Sequence, residues 1–205
     1  MEALLAMKTY KLTTPQQKIY NETMFYAGTA LGNIGGTIEF SMDGLTSEII
    51  EKAINALIES AEGLRLRITQ DEGEVCQYVS DYIYEPIPVI DARTMTEAQI
   101  DTFVSDMMNN PIAYADKLYR FAILVKESSF GVVAVMHHII SDAWSMTVVN
   151  DAILSACAAF IKAETPVLNI APYTDFVARE QEYFASKRYQ KDKAFWAEKY
   201  EAHPD

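Results

Sequence analysis

The chain has 205 residues, half of them hydrophobic and 22% charged, which is enough apolar material for one sizeable core in a globular α/β unit. A formal net charge of -12 argues against a phosphate-backbone partner, because nucleic-acid binding needs a clustered basic face. No apolar run approaches the roughly 20 residues of a membrane span, and Met1–Ala6 lacks the basic start of a signal peptide, so a cytoplasmic protein without membrane contact is expected. Cys76 and Cys157 have no metal-type spacing and are read as reduced thiols.

Thr13-Thr14-Pro15-Gln16-Gln17 is a helix start, a hydroxyl cap followed by proline at an early helical position, and the helix is expected to run to about Tyr26. Gly35-Gly36 opens a predicted strand from Thr37 to Met42. Thr46 caps a helix through Glu59 whose apolar face is Ile49, Ile50, Ala53, Ile54, Leu57 and Ile58. Leu64-Arg65-Leu66-Arg67-Ile68 alternates strictly and predicts a strand with both arginines on one face, an arrangement more common on solvated strand faces than at sites. Asp71-Glu72-Gly73-Glu74 turns that strand into a second one, Val75 to Val79. A short strand at Val89-Ile90 and a capped helix from Thr96 to Met108 follow, with Met107 and Met108 filling core.

Residues 117–126 and 130–137 predict two long strands, antiparallel through Glu127-Ser128-Ser129. A long apolar helix is expected from Ser145 to Lys162, then helices from Tyr173 to Lys187 and from Gln190 to Tyr200. The densest basic run, Lys187 to Lys193, is a candidate docking patch.

Chemistry concentrates in Met136-His137-His138-Ile139-Ile140-Ser141-Asp142-Ala143-Trp144-Ser145, at the end of the most apolar strand. On an extended strand His137 and His138 project to opposite faces, so they do not hold one metal together. One should face the core and the other whatever opens at the strand end, where a neutral imidazole can act as a general base. Asp142 either orients an imidazole or pairs with an arginine and braces the loop. Trp144 reads as a packing anchor. No Gly-x-Ser-x-Gly elbow is present, and neither cysteine is placed as a nucleophile.

The stretch His137 to Ser145 resembles the His-His-x-x-x-Asp-Gly-x-Ser signature of nonribosomal peptide synthetase condensation domains. Three further stretches are similar to that family's motifs, in its order: Leu12 to Gln17, Glu62 to Ile68, and Tyr173-Thr174-Asp175-Phe176. The resemblance implies a mixed β-sheet flanked by helices, one lobe of a chloramphenicol acetyltransferase-like pair. Residues 1–205 would be the N-terminal subdomain, with the C-terminal lobe that completes the active-site tunnel absent. It implies amide formation between aminoacyl or peptidyl thioesters held on the phosphopantetheine of upstream and downstream peptidyl carrier proteins, with no cofactor bound directly.

In that scheme His138 is the catalytic histidine, His137, Trp144 and Ser145 belong to the motif, and Asp142 is a structural carboxylate paired with Arg65. Ala143 stands where the motif has glycine, either narrowing the channel by one methyl or being absorbed. The alternatives are another acyltransferase of the same fold (an epimerization domain or a stand-alone enzyme) and a non-catalytic module that docks carrier proteins. A lone lobe would also expose an apolar wall, so self-association is expected.

Overall fold

The protein is described here by a computed structural model covering residues 8–201, so the Met1–Ala6 stretch lies outside the described residues. Among the described residues seven strands and seven helices follow one another: β1 (Tyr10–Lys11), α1 (Thr14–Phe25), β2 (Asn33–Phe40), α2 (Ser47–Ser60), α3 (Glu62–Arg65), β3 (Leu66–Asp71), β4 (Glu74–Val79), β5 (Val89–Asp91), α4 (Glu97–Asn109), β6 (Tyr119–Val125), β7 (Phe130–His137), α5 (Ala143–Ile161), α6 (Tyr173–Ala185) and α7 (Lys187–Glu201).

The strands form two sheets. β2-β7-β6-β5 is mixed, antiparallel except for the parallel β5–β6 pair, and β1-β4-β3 is a small antiparallel sheet. Both faces of the four-stranded sheet are covered. On one face Phe121, Ile123, Val132, Ala134 and Met136 meet Ile50, Ile54 and Leu57 of α2 and Val149, Ile153 and Cys157 of α5. On the other, Ala122, Leu124, Val133 and Val135 meet Phe103, Val104 and Met107 of α4 and Ile19 and Tyr20 of α1. A strand sandwiched this way is apolar at every position, which is why Phe130–Met136 shows no alternation. Each large aliphatic side chain buried there contributes about 1.5–3 kcal/mol.

Local chemistry sets most boundaries. Thr96 and Gln99 close a reciprocal capping box on α4, and Asp142 and Ser145 close one on α5. Glu72 and Gly73 have φ of 49° and 86°, the paired left-handed values of a two-residue hairpin, and join β3 to β4. Helix α5 buries Val149, Ala152, Ile153, Ala156 and Cys157, the recurring three-and-four spacing of a helix face. At 19 residues and a mean hydropathy of 1.4 it also reaches the length and apolarity of a membrane span, contrary to the sequence-based expectation. Its five inward residues pack in the core against the α2 side of the sheet.

Two predicted strands differ in their extent. β2 begins at Asn33, upstream of the glycine pair, because Gly35 lies so close to β7 that a Cβ there would sit 2.2 Å from the Ala134 carbonyl oxygen. Glu62–Arg65 is a helical turn, and extended backbone starts only at Leu66. Leu64, Leu66 and Ile68 are still the buried positions, so the alternation of burial passes through a change of backbone.

Candidate acyl-transfer site at the end of strand β7

β7 delivers the two histidines to opposite environments. His137, its last residue, is 4% exposed and lies beneath the Tyr114 ring, with ring centroids 4.8 Å apart. Its Nδ1 accepts the Ile139 backbone N–H at 3.1 Å, so Nδ1 carries a lone pair and the neutral ring holds its proton on Nε2. Burial, with a smaller contribution from His138, pushes its pKa down to about 4. Protonation would break the bond to Ile139. His137 is a structural imidazole.

His138 is exposed at the head of the turn. Its Nδ1 lies 2.6 Å from the Ser141 carbonyl oxygen. A carbonyl only accepts, so Nδ1 bears the hydrogen and Nε2 keeps the lone pair. Adjacent histidines thus hold opposite tautomers, and His138 has the nitrogen free that could take a proton from an incoming nucleophile.

His138 lines an open cleft of about 450 Å³ together with Pro15, Gln16 and Ile19 of α1, Ser141, Asp142 and Ser145 at the α5 start, and Tyr173 and Phe176 of α6. Three of the four predicted motif stretches converge: the α1 opening, the His-His turn and the α6 opening share one cavity, whereas Glu62–Ile68 does not line it. Gln16 and Gln77 form a mutual amide pair at 2.8 Å. Gln16 also receives the Thr13 N–H on Oε1 and donates Nε2–H to the Ile139 carbonyl, tying α1 and β4 to the residue after His138. Glu180 accepts the Thr14 N–H, and Glu62 accepts both the backbone and hydroxyl hydrogens of Thr174, so α1 and α3 fix α6. A larger cleft of about 600 Å³, walled by residues 85–90, α4 and β6, contains neither imidazole nor thiol.

Asp142 caps α5. Its Oδ1 accepts the Ser145 N–H at 2.8 Å and the Ser145 hydroxyl at 2.7 Å. The Ser145 hydroxyl, then the Ser145 amide, hold its carboxyl below the ordinary range. It does not pair with Arg65. The α3 turn sends the Arg65 guanidinium back to the Ile58 carbonyl at 3.2 Å and the Ser80 carbonyl at 2.7 Å. It thereby satisfies a last-turn carbonyl of α2, where a cation is also favoured by the helix dipole. Asp142 braces the loop as one of the two expected roles, with Ser145 as its partner, and the expected Arg65 pairing is corrected.

Ala143 is the first residue of α5, and among the described non-glycine residues only Glu72 and Ala163 have positive φ, so no backbone strain follows from replacing the motif glycine. Its side chain is exposed. Trp144 is 74% exposed, which overturns its reading as a packing anchor: at the second helical position it faces away from the buried stripe. Met107 and Met108 are partly buried against the core, as expected. Cys76 and Cys157 are both free and buried. Among the described residues no group of three or more side chains is arranged to hold a metal.

Sequence reasoning did not single out Gln77, Ser141, Gly32 or Tyr114. Gln77 carries a visible signal, a polar residue at an inward position of a strand. Ser141 lies inside the marked stretch but acts through its backbone carbonyl, and Gly32 and Tyr114 act through long-range contacts that nothing near them in the chain marks.

Comparison with known proteins supplies the lineage. The family model described as "Condensation domain" matches residues 6–204. Surfactin synthase subunit 1 of Bacillus subtilis strain 168 is 32% identical over 205 residues, covering 96% of this chain and 6% of that protein. Enterobactin synthase component F of Escherichia coli strain K12 is 27% identical over 164 residues, covering 74% of this chain and 12% of that protein. The starter condensation domain of rhizomide synthetase RzmA superposes with a TM-score of 0.87 at 19% identity, covering 97% of this chain and 49% of that chain. The first condensation domain of the CDA synthetase gives 0.82, covering 97% and 52%. The chain thus spans about half the length of the solved domains it matches and a small part of the curated synthetases. The family model spans nearly the whole chain, which therefore belongs to the condensation-domain family of nonribosomal peptide synthetases.

Proposed function

We propose that this chain is the N-terminal lobe of an amide-forming condensation domain in which His138 serves the incoming amine. The observation that carries the reading is the placement of His138: exposed in a cleft walled by three motif stretches, with Nδ1 held by the Ser141 carbonyl and Nε2 unoccupied. The amine of an aminoacyl thioester attacks the carbonyl carbon of a second thioester, the C–N bond forms and the C–S bond breaks. Nε2 takes the amine proton, or orients the amine, and the departing thiolate regains a proton as the free thiol.

Both thioesters are carried on phosphopantetheine of peptidyl carrier proteins, one upstream and one downstream, in the cytoplasm. The second wall of the cleft is a C-terminal lobe of comparable size. The exposed Phe195 and Trp196 of α7 suit either that lobe or a second copy of the chain. Acidic carrier proteins would meet an acidic partner, so docking falls on apolar or locally basic surface, with Lys187–Lys193 of α7 as one candidate.

The test uses a polypeptide that includes the second lobe, offered a donor-loaded carrier with either an amine-bearing or a hydroxyl-bearing acceptor carrier. Amide product detected by intact-protein mass spectrometry supports the reading. Ester product alone moves the chain to another acyltransferase branch of the fold, and carrier binding without any transfer makes it a docking module.

A further inference from the structure

Gly32 touches both histidines in different ways. A Cβ at Gly32 would lie 2.3 Å from Nε2, 2.7 Å from Cε1 and 2.9 Å from Cδ2 of His137, so only glycine leaves room for that ring. Its carbonyl accepts the His138 backbone N–H at 2.6 Å. Tyr114 closes the slot from the other side, its ring tilted 55° against His137 at 4.8 Å between centroids and its hydroxyl hydrogen-bonded to Thr23.

The seated ring is the hub of the turn that follows. Nδ1 of His137 takes the Ile139 N–H, and its carbonyl takes the Ile140 N–H at 3.0 Å and the Ser141 hydroxyl at 3.1 Å. That turn brings the Ser141 carbonyl to Nδ1 of His138. A chain of contacts therefore runs from the Gly32–Tyr114 slot through the buried imidazole to the proton position on the exposed one.

We propose that Gly32 and Tyr114 are positioning residues for His138: by seating His137 they fix the turn that keeps the His138 hydrogen on Nδ1 and its Nε2 lone pair free. The catalytic meaning of this arrangement rests on the amide-forming reading, whereas the arrangement itself does not.

The experiment is long-range ¹H–¹⁵N correlation of the imidazoles in the full ¹⁵N-labelled chain near pH 7.5, where each tautomer has its own nitrogen-shift pattern. The parent should show His137 as the Nε2–H form and His138 as the Nδ1–H form. In Gly32→Ala, and in Tyr114→Leu, His138 should lose the Nδ1–H pattern and move to the mixture of free histidine, with the amide spectrum still folded. Tyr114→Phe keeps the ring and should retain the parent pattern, which a general loosening of the fold would not spare selectively.

If Gly32→Ala does not fold, Tyr114→Leu decides alone. A parent His138 that is not Nδ1–H overturns the proposal, as does a folded Gly32→Ala or Tyr114→Leu variant with an unchanged His138. Because the readout is a tautomer and not turnover, such a result leaves the amide-forming reading standing, and failure of amide formation leaves this one standing.

Discussion

Replacing Asp142 by Ala separates a helix cap from a buried ion pair. The structure gives Asp142 two bonds to Ser145 and an exposed position, so Asp142→Ala removes an N-cap and a negative charge at the helix N-terminus. A lost cap costs about 1 kcal/mol and the dipole interaction a few tenths more, about 1.5 kcal/mol together. For a chain of this size that is a fall in Tm of about 3–6 °C. Asp142→Asn, an equally good cap, should stay within about 0.5 kcal/mol of the parent.

The same loss should appear on acidification. Ser145 holds the Asp142 carboxyl below its ordinary value, so its stabilisation is complete above about pH 4 and disappears as pH falls through the lowered value. Urea unfolding of Asp142→Ala, Arg65→Ala and the double variant measures the remaining quantity. With separate partners the two losses should add within about 0.5 kcal/mol. A loss above about 3 kcal/mol for Asp142→Ala, or a coupling above about 1 kcal/mol with Arg65→Ala, would mean a desolvated Asp142–Arg65 pair and refute the capping account.

His137, pushed down to about 4 in the fold, stays neutral while an unfolded chain protonates near 6.5. The His137 contribution to stability should therefore fall by ~3 kcal/mol between pH 6.5 and 4 and itself level off below, and His137→Gln should flatten that part of the slope in urea melts. Ile153, fully buried between α5 and the sheet, should cost about 2–5 kcal/mol when cut to alanine, and a smaller loss by thermal melting would indicate a looser α5. Burial pushes the Cys157 thiol up to about 11 and raises that of Cys76, so neither should react with a thiol reagent until denaturant is added. Prompt labelling of the folded chain would contradict the packing of β4 or α5.

What was legible in the sequence was what neighbours in the chain decide. Thr46 and Thr96 cap the helices they precede because capping is a contact over three residues, whereas the Asp142 cap on α5 emerges only in the structure. The opposite facing of His137 and His138 follows from strand geometry alone. What stayed hidden depends on distant partners. Nothing near Gly32 in the chain announces the imidazole that excludes its Cβ, and Tyr114 stands in an irregular segment without periodic neighbours. Motif resemblance pairs Arg65 with Asp142, while a single helical turn redirects its side chain to the end of α2. Trp144 looked like core by residue type, but its place in the first turn of α5 turns it to solvent.

The most direct test of the central claim is single-turnover transfer between loaded carrier proteins by a polypeptide carrying both lobes, with His138 intact or replaced by alanine. The account predicts amide product from the parent and a rate lowered about 100-fold or more in His138→Ala at unchanged carrier binding. Equal rates from the two proteins would contradict it.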